Sequence, residues 1–175
     1  MKPAHYPFVP KSTAYLKPGD FWSIPLADGQ FACGRVLQLK KTEKNKFDSR
    51  AFLAGLIDWC GETPPTSDAI ADRKLLEFGR VHVKTIAENN GQILGSRPLE
   101  SDGIAVPLCL DSAGPNTMLQ RGFEILRSAT AGEMKELRTL RTWGYSVIKI
   151  SAEKHFAKRS TWRSRDCEKA RSPSI

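Results

Sequence analysis

Three histidines and four cysteines are the side chains best suited to proton transfer or nucleophilic attack. His82 stands in Val81-His82-Val83-Lys84-Thr85-Ile86, an alternating segment that puts His82 and Lys84 on the face opposite Val81 and Val83. An imidazole placed there could act as a general base, with the Lys84 ammonium as an electrostatic partner. No second histidine or carboxylate is set beside it by sequence, so a half-exposed strand histidine is the simpler account. His5 lies in a proline-rich lead-in, and His155 begins a basic C-terminal stretch. Cys33 and Cys60 become nucleophiles only if the fold brings a base to them. Cys33 has apolar neighbours in an alternating segment, which reads as packing. The cysteines at 33, 60, 109 and 167 form no C-x-x-C, so neither a zinc ribbon nor a thioredoxin-type pair is indicated. Reduced thiols in a cytoplasmic protein are the expectation. H-E-x-x-H, G-x-S-x-G and G-x-x-x-x-G-K-[ST] do not occur. The sequence therefore nominates no catalytic, cofactor-binding or metal-ligating residue, and a non-enzyme without cofactor is expected.

The 175 residues, 40% hydrophobic and 26% charged, fit one soluble globular domain whose core needs no disulfides. No apolar run approaches the roughly 20 residues that cross a bilayer, so no membrane span is expected. Met1 to Pro7 carry no apolar h-region, and a cleaved signal is not expected. The net charge of +8 is uneven. Residues 154–175 carry a net +5 and the rest of the chain a net +3. A near-balanced body with a basic, disordered tail is expected. Trp162 in Lys158-Arg159-Ser160-Thr161-Trp162-Arg163-Ser164-Arg165 makes residues 158–171 a candidate for weak, non-specific nucleic-acid contact. Trp22, Trp59 and Trp143 lie in or beside apolar runs and read as core.

The elements that would position these residues follow from turn chemistry and periodicity. Pro3, Pro7 and Pro10 mark residues 1–16 as an extended lead-in. Lys17-Pro18-Gly19-Asp20 is a turn, and Asp28-Gly29 is a hairpin cue between the alternating runs 20–26 and 31–39. Pro25 cannot donate to a ladder, so the first strand is expected to be an edge or bulged there. Residues 51–59 are apolar on both alternating sets, as in a strand covered on both faces. Ser67-Asp68 can cap a helix to about Phe78, with Ile70, Ala71, Leu75 and Phe78 on one side. Residues 81–86 and 92–95 flank Asn89-Asn90-Gly91 as a second hairpin. Short strands are expected at 104–110 and 123–127, with a loop over 111–120. Thr130-Ala131-Gly132-Glu133 fits a capping box opening a helix to about Trp143, stopped by Gly144, before a last strand at 145–151. The expected fold is α+β: a twisted antiparallel sheet or partly open β-barrel with about two packed helices, spanning 17–156, followed by a basic tail at 157–175.

The segment from Leu16 to Leu37, LKPGDFWSIPLADGQFACGRVL, resembles the start of the immunity protein 26 family of bacterial polymorphic toxin systems. The matching positions are Pro18, Gly19, Asp20, Trp22, Ile24, Pro25, Leu26, Asp28, Gly29, Gly34, Arg35 and Val36. Gly91 to Leu99 is similar to a later family element, through Leu94, Gly95 and Pro98. The resemblance implies an α+β fold and a non-enzymatic role, the binding and blocking of a cognate toxin. These matching residues read as fold determinants, and the family carries over no catalytic ones.

Three readings follow. The first is a cytoplasmic immunity protein that sterically neutralises a cognate toxin. The second is a small β-barrel nucleic-acid-binding module that uses a basic tail, and the third is an enzyme using His82. Under the first, recognition falls to loops on a rigid sheet. These are the polar connection Lys40 to Arg50, with Lys41, Lys44 and Lys46 as candidate toxin contacts, and the loop Leu110 to Gln120.

Overall fold

A computed structural model describes residues 5–157. The basic stretch 158–171 and Trp162 lie outside the described residues. Among the described residues, eight strands form two antiparallel sheets. Strands β1 (Asp20–Pro25), β2 (Phe31–Lys41), β3 (Phe47–Gly61), β4 (Leu75–His82) and β5 (Ile93–Ser96) make a five-stranded sheet in the order β4-β3-β2-β1-β5. Strands β6 (Leu108–Leu110), β7 (Met118–Arg121) and β8 (Glu124–Ser128) make a three-stranded one. The helices are α1 (Lys84–Glu88), α2 (Ala131–Glu136) and α3 over residues 147–157. The α+β architecture is as expected, and the sheets stay open, without closing into a barrel.

The first hairpin forms as its turn chemistry dictates. Leu26 N donates to Gln30 O at 2.8 Å, and Asp28 Oδ1 accepts from Gln30 N at 3.0 Å. Gly29 supplies the positive φ, +83°, that this turn requires. Pro25 ends β1, beyond the Asp20–Trp22 stretch that pairs with β5, so its missing N–H costs no bond there. The β1–β5 register slips between Phe21 and Trp22.

Strand β3 is buried on both faces because the large sheet carries an apolar cluster on each side. Trp22, Ile24, Phe52, Leu56 and Ile93 face Ile86 of α1 and Ile148, Ala152 and Phe156 of α3. Phe21, Leu37, Leu53, Ile57 and Trp59 face Ile70, Leu99 and Ile104 of the connecting loops. The Trp22 indole stands edge-on to Phe52 at 5.8 Å and lies against Gly34, where a Cβ would fall 2.2 Å from it.

Several expected elements are different in the structure. Residues 67–78 are not a helix: turns at 66–72 deliver Ile70 to the core, and the chain then enters β4. Pairing with β3 outweighs local helical spacing there. His82 ends β4, and 84–88 is α1 rather than strand, so β5 pairs with β1 and makes no hairpin with 81–86. The capping box at Thr130 and Glu133 is present, but α2 stops at Glu136. The region expected to be loop contains β7. Residues 147–157 are helical because Ile148, Ala152 and Phe156, spaced by four, bury into one cluster.

Extended residues 138–143 bind the two sheets together. Leu110 N donates to Arg138 O and Leu140 N to Leu110 O, at 2.9 and 2.8 Å. Three residues on, Arg80 N donates to Arg141 O and Trp143 N to Arg80 O, both at 2.9 Å. The far edge of the large sheet is covered by the lead-in, through Phe8 N to Ile93 O at 3.0 Å and Ile93 N to Phe8 O at 2.8 Å.

Candidate protein-interaction site

Most of the family-motif positions lie inside the fold, while Pro18, Asp28, Gly29 and Pro98 are exposed. Gly19, at φ +96°, takes a bond from Arg97 N at 3.0 Å and gives one to Val36 O at 2.8 Å. A Cβ on Gly19 would lie 2.5 Å from Arg97 O, so only glycine fits this close approach. Asp20 is buried; it accepts from Lys17 N at 3.0 Å and from the Tyr6 hydroxyl at 2.9 Å. Burial raises its carboxyl above the ordinary aspartate range, against the pull of those bonds. Arg35 points into the interior, where it meets Asp102 and the Arg97 carbonyl. Trp22, Ile24, Leu26 and Val36 are core on one side of the sheet, Leu94 packs on the cluster of the other side, and Gly95 lies under the Phe21 ring. Pro98 leads into a 3-10 turn at Leu99–Asp102. Two partners of these residues, Tyr6 and Asp102, carried no sequence signal that linked them to the motif, whereas Arg97 lies within its second element.

His82 Nδ1 accepts the Lys84 backbone N–H at 3.1 Å, and its ring meets Tyr145 edge-on at 5.9 Å. His155 Nε2 lies 3.7 Å from Asp58 Oδ1. Cys33 is fully buried, and desolvation pushes its thiol far up, away from thiolate chemistry. Cys60 donates to Gln30 Oε1 at 2.8 Å, and Cys109 is buried on β6. Among the described residues no three His, Cys, Asp or Glu side chains group as a metal site.

Lys41, Lys44 and Lys46 lie together at the tip of the β2–β3 arm. The two strands run past the sheet until Lys41 pairs with Phe47. The tip closes through Thr42 N to Lys46 O at 2.7 Å and Asn45 N to Thr42 O at 2.9 Å, with Asn45 at φ +56°. Asparagine tolerates that left-handed conformation better than most residues. Asp48 braces the arm: its Oδ1 accepts from Arg50 N at 2.8 Å and Ala51 N at 3.1 Å, and its Oδ2 lies 3.9 Å from Lys40 Nζ. The Arg50 amide bond, chiefly, holds the Asp48 carboxyl below the usual range. Lys41, Lys44 and Lys46 form no ion pair among the described residues.

A groove of about 560 Å³ runs along the arm, lined by Pro18, Gln38, Leu39, Lys41, Phe47, Phe123 and Glu124. Gln38 Oε1 accepts the Phe123 N–H at 2.8 Å and ties the β7–β8 turn to β2, which fixes the groove's second wall. Phe47 is 59% exposed, with the Lys41 ammonium 5.7 Å from its ring centre. On β8, Ile125 and Leu126 are 58% and 44% exposed. Exposed apolar side chains rimmed by polar groups mark protein-binding surfaces. Phe47 and Phe123 were missed from sequence, because nothing local brings residues so far apart in the chain together.

No curated protein and no solved structure is matched by this chain. The family model for Immunity protein 26 matches residues 17–110, more than half of the sequence, and the chain belongs to that family.

Proposed function

We propose that this protein is a cytoplasmic immunity protein that binds its cognate toxin and blocks it sterically, without catalysis. The observation that carries this reading, beside family membership, is the braced β2–β3 arm, which holds unpaired Lys41, Lys44 and Lys46 next to a groove walled by Phe47 and Phe123. The partner face it fits carries carboxylates around an apolar side chain. The aromatic anchor would supply most of the affinity, and the lysines would set approach and register. In this reading residues 17–156 carry the binding function and residues 157–175 are accessory to it.

The test is co-expression with the product of the adjacent toxin gene, followed by co-purification and a survival assay. A stoichiometric complex and protected cells are expected. Protection without any complex, or a complex unaffected by Phe47→Ala combined with charge reversal of the three lysines, would overturn the reading.

A further inference from the structure

A second cavity, of about 460 Å³, lies at the β4 edge between that strand, extended residues 138–143 and α3. Its volume is in the range of small-ligand sites. Glu77, Arg138, Thr139, Arg141, Trp143 and Ser151 are among the residues that line it. The frame is rigid on both sides. Arg138 O is bonded to Leu110 N and Arg141 O to Arg80 N, so each arginine backbone is pinned to a different sheet. The Trp143 indole is seated on Gly79, where a Cβ would fall 2.4 Å from it, and Trp143 N is bonded to Arg80 O.

The polar groups around this cavity are left over. Among the described residues, the Arg138 and Arg141 guanidinium groups, the Thr139 and Ser151 hydroxyls and the Glu77 carboxylate have no side-chain hydrogen bond or ion pair with another side chain. Two arginine forks and two hydroxyl donors match the oxygens of a phosphate. An indole offers a flat ring a stacking surface. The Glu77 carboxylate only accepts, so it repels a second anion and calls for N–H donors. An acidic peptide, with negative charge along its length, suits Glu77 poorly. One phosphate, one flat ring and N–H groups on the ring edge describe a purine nucleotide, and guanine offers a carboxylate two adjacent donors.

We propose that this cavity binds a nucleoside monophosphate, guanosine monophosphate in preference to the adenosine form. The phosphate sits on Arg138 and Arg141, the base lies against Trp143, and its N–H edge meets Glu77. The site is separate from the toxin-binding arm and does not depend on that assignment.

The experiment titrates the full-length protein with GMP, AMP and inorganic phosphate, read by calorimetry and by tryptophan fluorescence. GMP is expected to bind saturably and to perturb Trp143, with the signal lost in Trp143→Phe. Arg138→Ala with Arg141→Ala should weaken GMP by at least about tenfold, since charged hydrogen bonds are lost. Both side chains are exposed, and a thermal melt verifies that the double variant is folded. Glu77→Gln should reduce the preference for GMP over AMP. Absence of saturable GMP binding, or GMP binding unchanged in the folded double-arginine variant, overturns the proposal. Inorganic phosphate binding as tightly as GMP would also overturn it, because the ring would then contribute nothing.

Discussion

Arg35 Nη1 and Asp102 Oδ2 meet at 3.0 Å with both side chains fully shielded from solvent. The pair joins β2 to the turn after β5, and further bonds complete it. Arg35 Nη2 donates to Arg97 O at 2.5 Å, and Asp102 Oδ1 accepts from Arg97 Nε at 2.8 Å and from Asp72 N at 3.0 Å. The carboxylate is thereby placed where the K-P-G-D turn, β2 and two loops converge. Burial works to raise the Asp102 pKa, but the Arg97, Asp72 and Arg35 bonds outweigh it and leave the group below its ordinary range.

Removing one member of this pair leaves the other charge buried and alone. Asp102→Ala or Arg35→Met should each cost about 3–5 kcal/mol, measured by urea unfolding. The double replacement Arg35→Met with Asp102→Leu should cost less than the two single losses added together. A double variant that cost the full sum would show that the two side chains act independently.

The depressed Asp102 pKa also fixes a direction with pH. The unfolded carboxyl takes up its proton in the ordinary aspartate range, while the folded one resists until lower pH. Its stabilisation is therefore complete above the ordinary value and drains as pH falls through the folded value. Asp20, raised by burial, acts in the opposite sense, adding relative stability at low pH that is lost as pH rises through its folded value. Asp102→Asn should flatten the acid limb of a stability–pH curve, and Asp20→Asn should steepen it.

Two glycines separate conformational strain from crowding. Gly29 has φ +83° with open space around its missing Cβ, so Gly29→Val should cost only the left-handed penalty, about 1–2 kcal/mol. Gly19 has φ +96° and also faces Arg97 O at 2.5 Å, so Gly19→Ala should cost more than Gly29→Val despite the smaller side chain. Thermal melts of the two variants decide the order, and equal losses would refute the crowding argument.

Helix α3 completes its buried stripe of Ile148, Ala152 and Phe156 before residue 158. Truncation after Ala157 should therefore leave the unfolding midpoint unchanged within error. Phe156→Ala, which empties a core position, should cost about 3 kcal/mol. Loss of soluble protein on truncation would show that residues 158–175 contribute to the fold.

What the sequence disclosed about the fold was local. The hairpin from 20 to 39 was legible because Asp28-Gly29 and the alternation on either side of it agree. Strand β4 was misread for a definite reason: the β3–β4 register slips at Leu56 and Ile57, opposite Leu76. Leu75 and Phe78 consequently reach the same cluster although they are three residues apart, which imitates helical spacing. Residues 145–151 alone read as a strand, because the repeat of four that makes α3 a helix shows only over 148–156. The polar, lysine-rich connection at 40–46 was legible from its charge. The groove beside it was not, since Phe47 and Phe123 line one groove only because the Gln38 bond ties the β7–β8 turn to β2.

The last prediction separates binding from catalysis in toxin protection. His82 has its Nδ1 occupied by the Lys84 N–H and its ring against Tyr145, so the imidazole is engaged in ending β4 and starting α1. His82→Ala should lose about 1 kcal/mol of stability through that bond and still protect cells. Charge reversal of Lys41, Lys44 and Lys46 to Glu should act the other way. Lys44 and Lys46 are exposed at the arm tip, so the fold should tolerate the change, while association with an acidic partner should fall by at least about tenfold. The association rate should also lose its dependence on ionic strength, because the steering charge is gone. Measured side by side, a folded His82→Ala protein that binds toxin but fails to protect would point to chemistry at the imidazole. Full protection by the lysine-reversed protein would move the interface away from the arm.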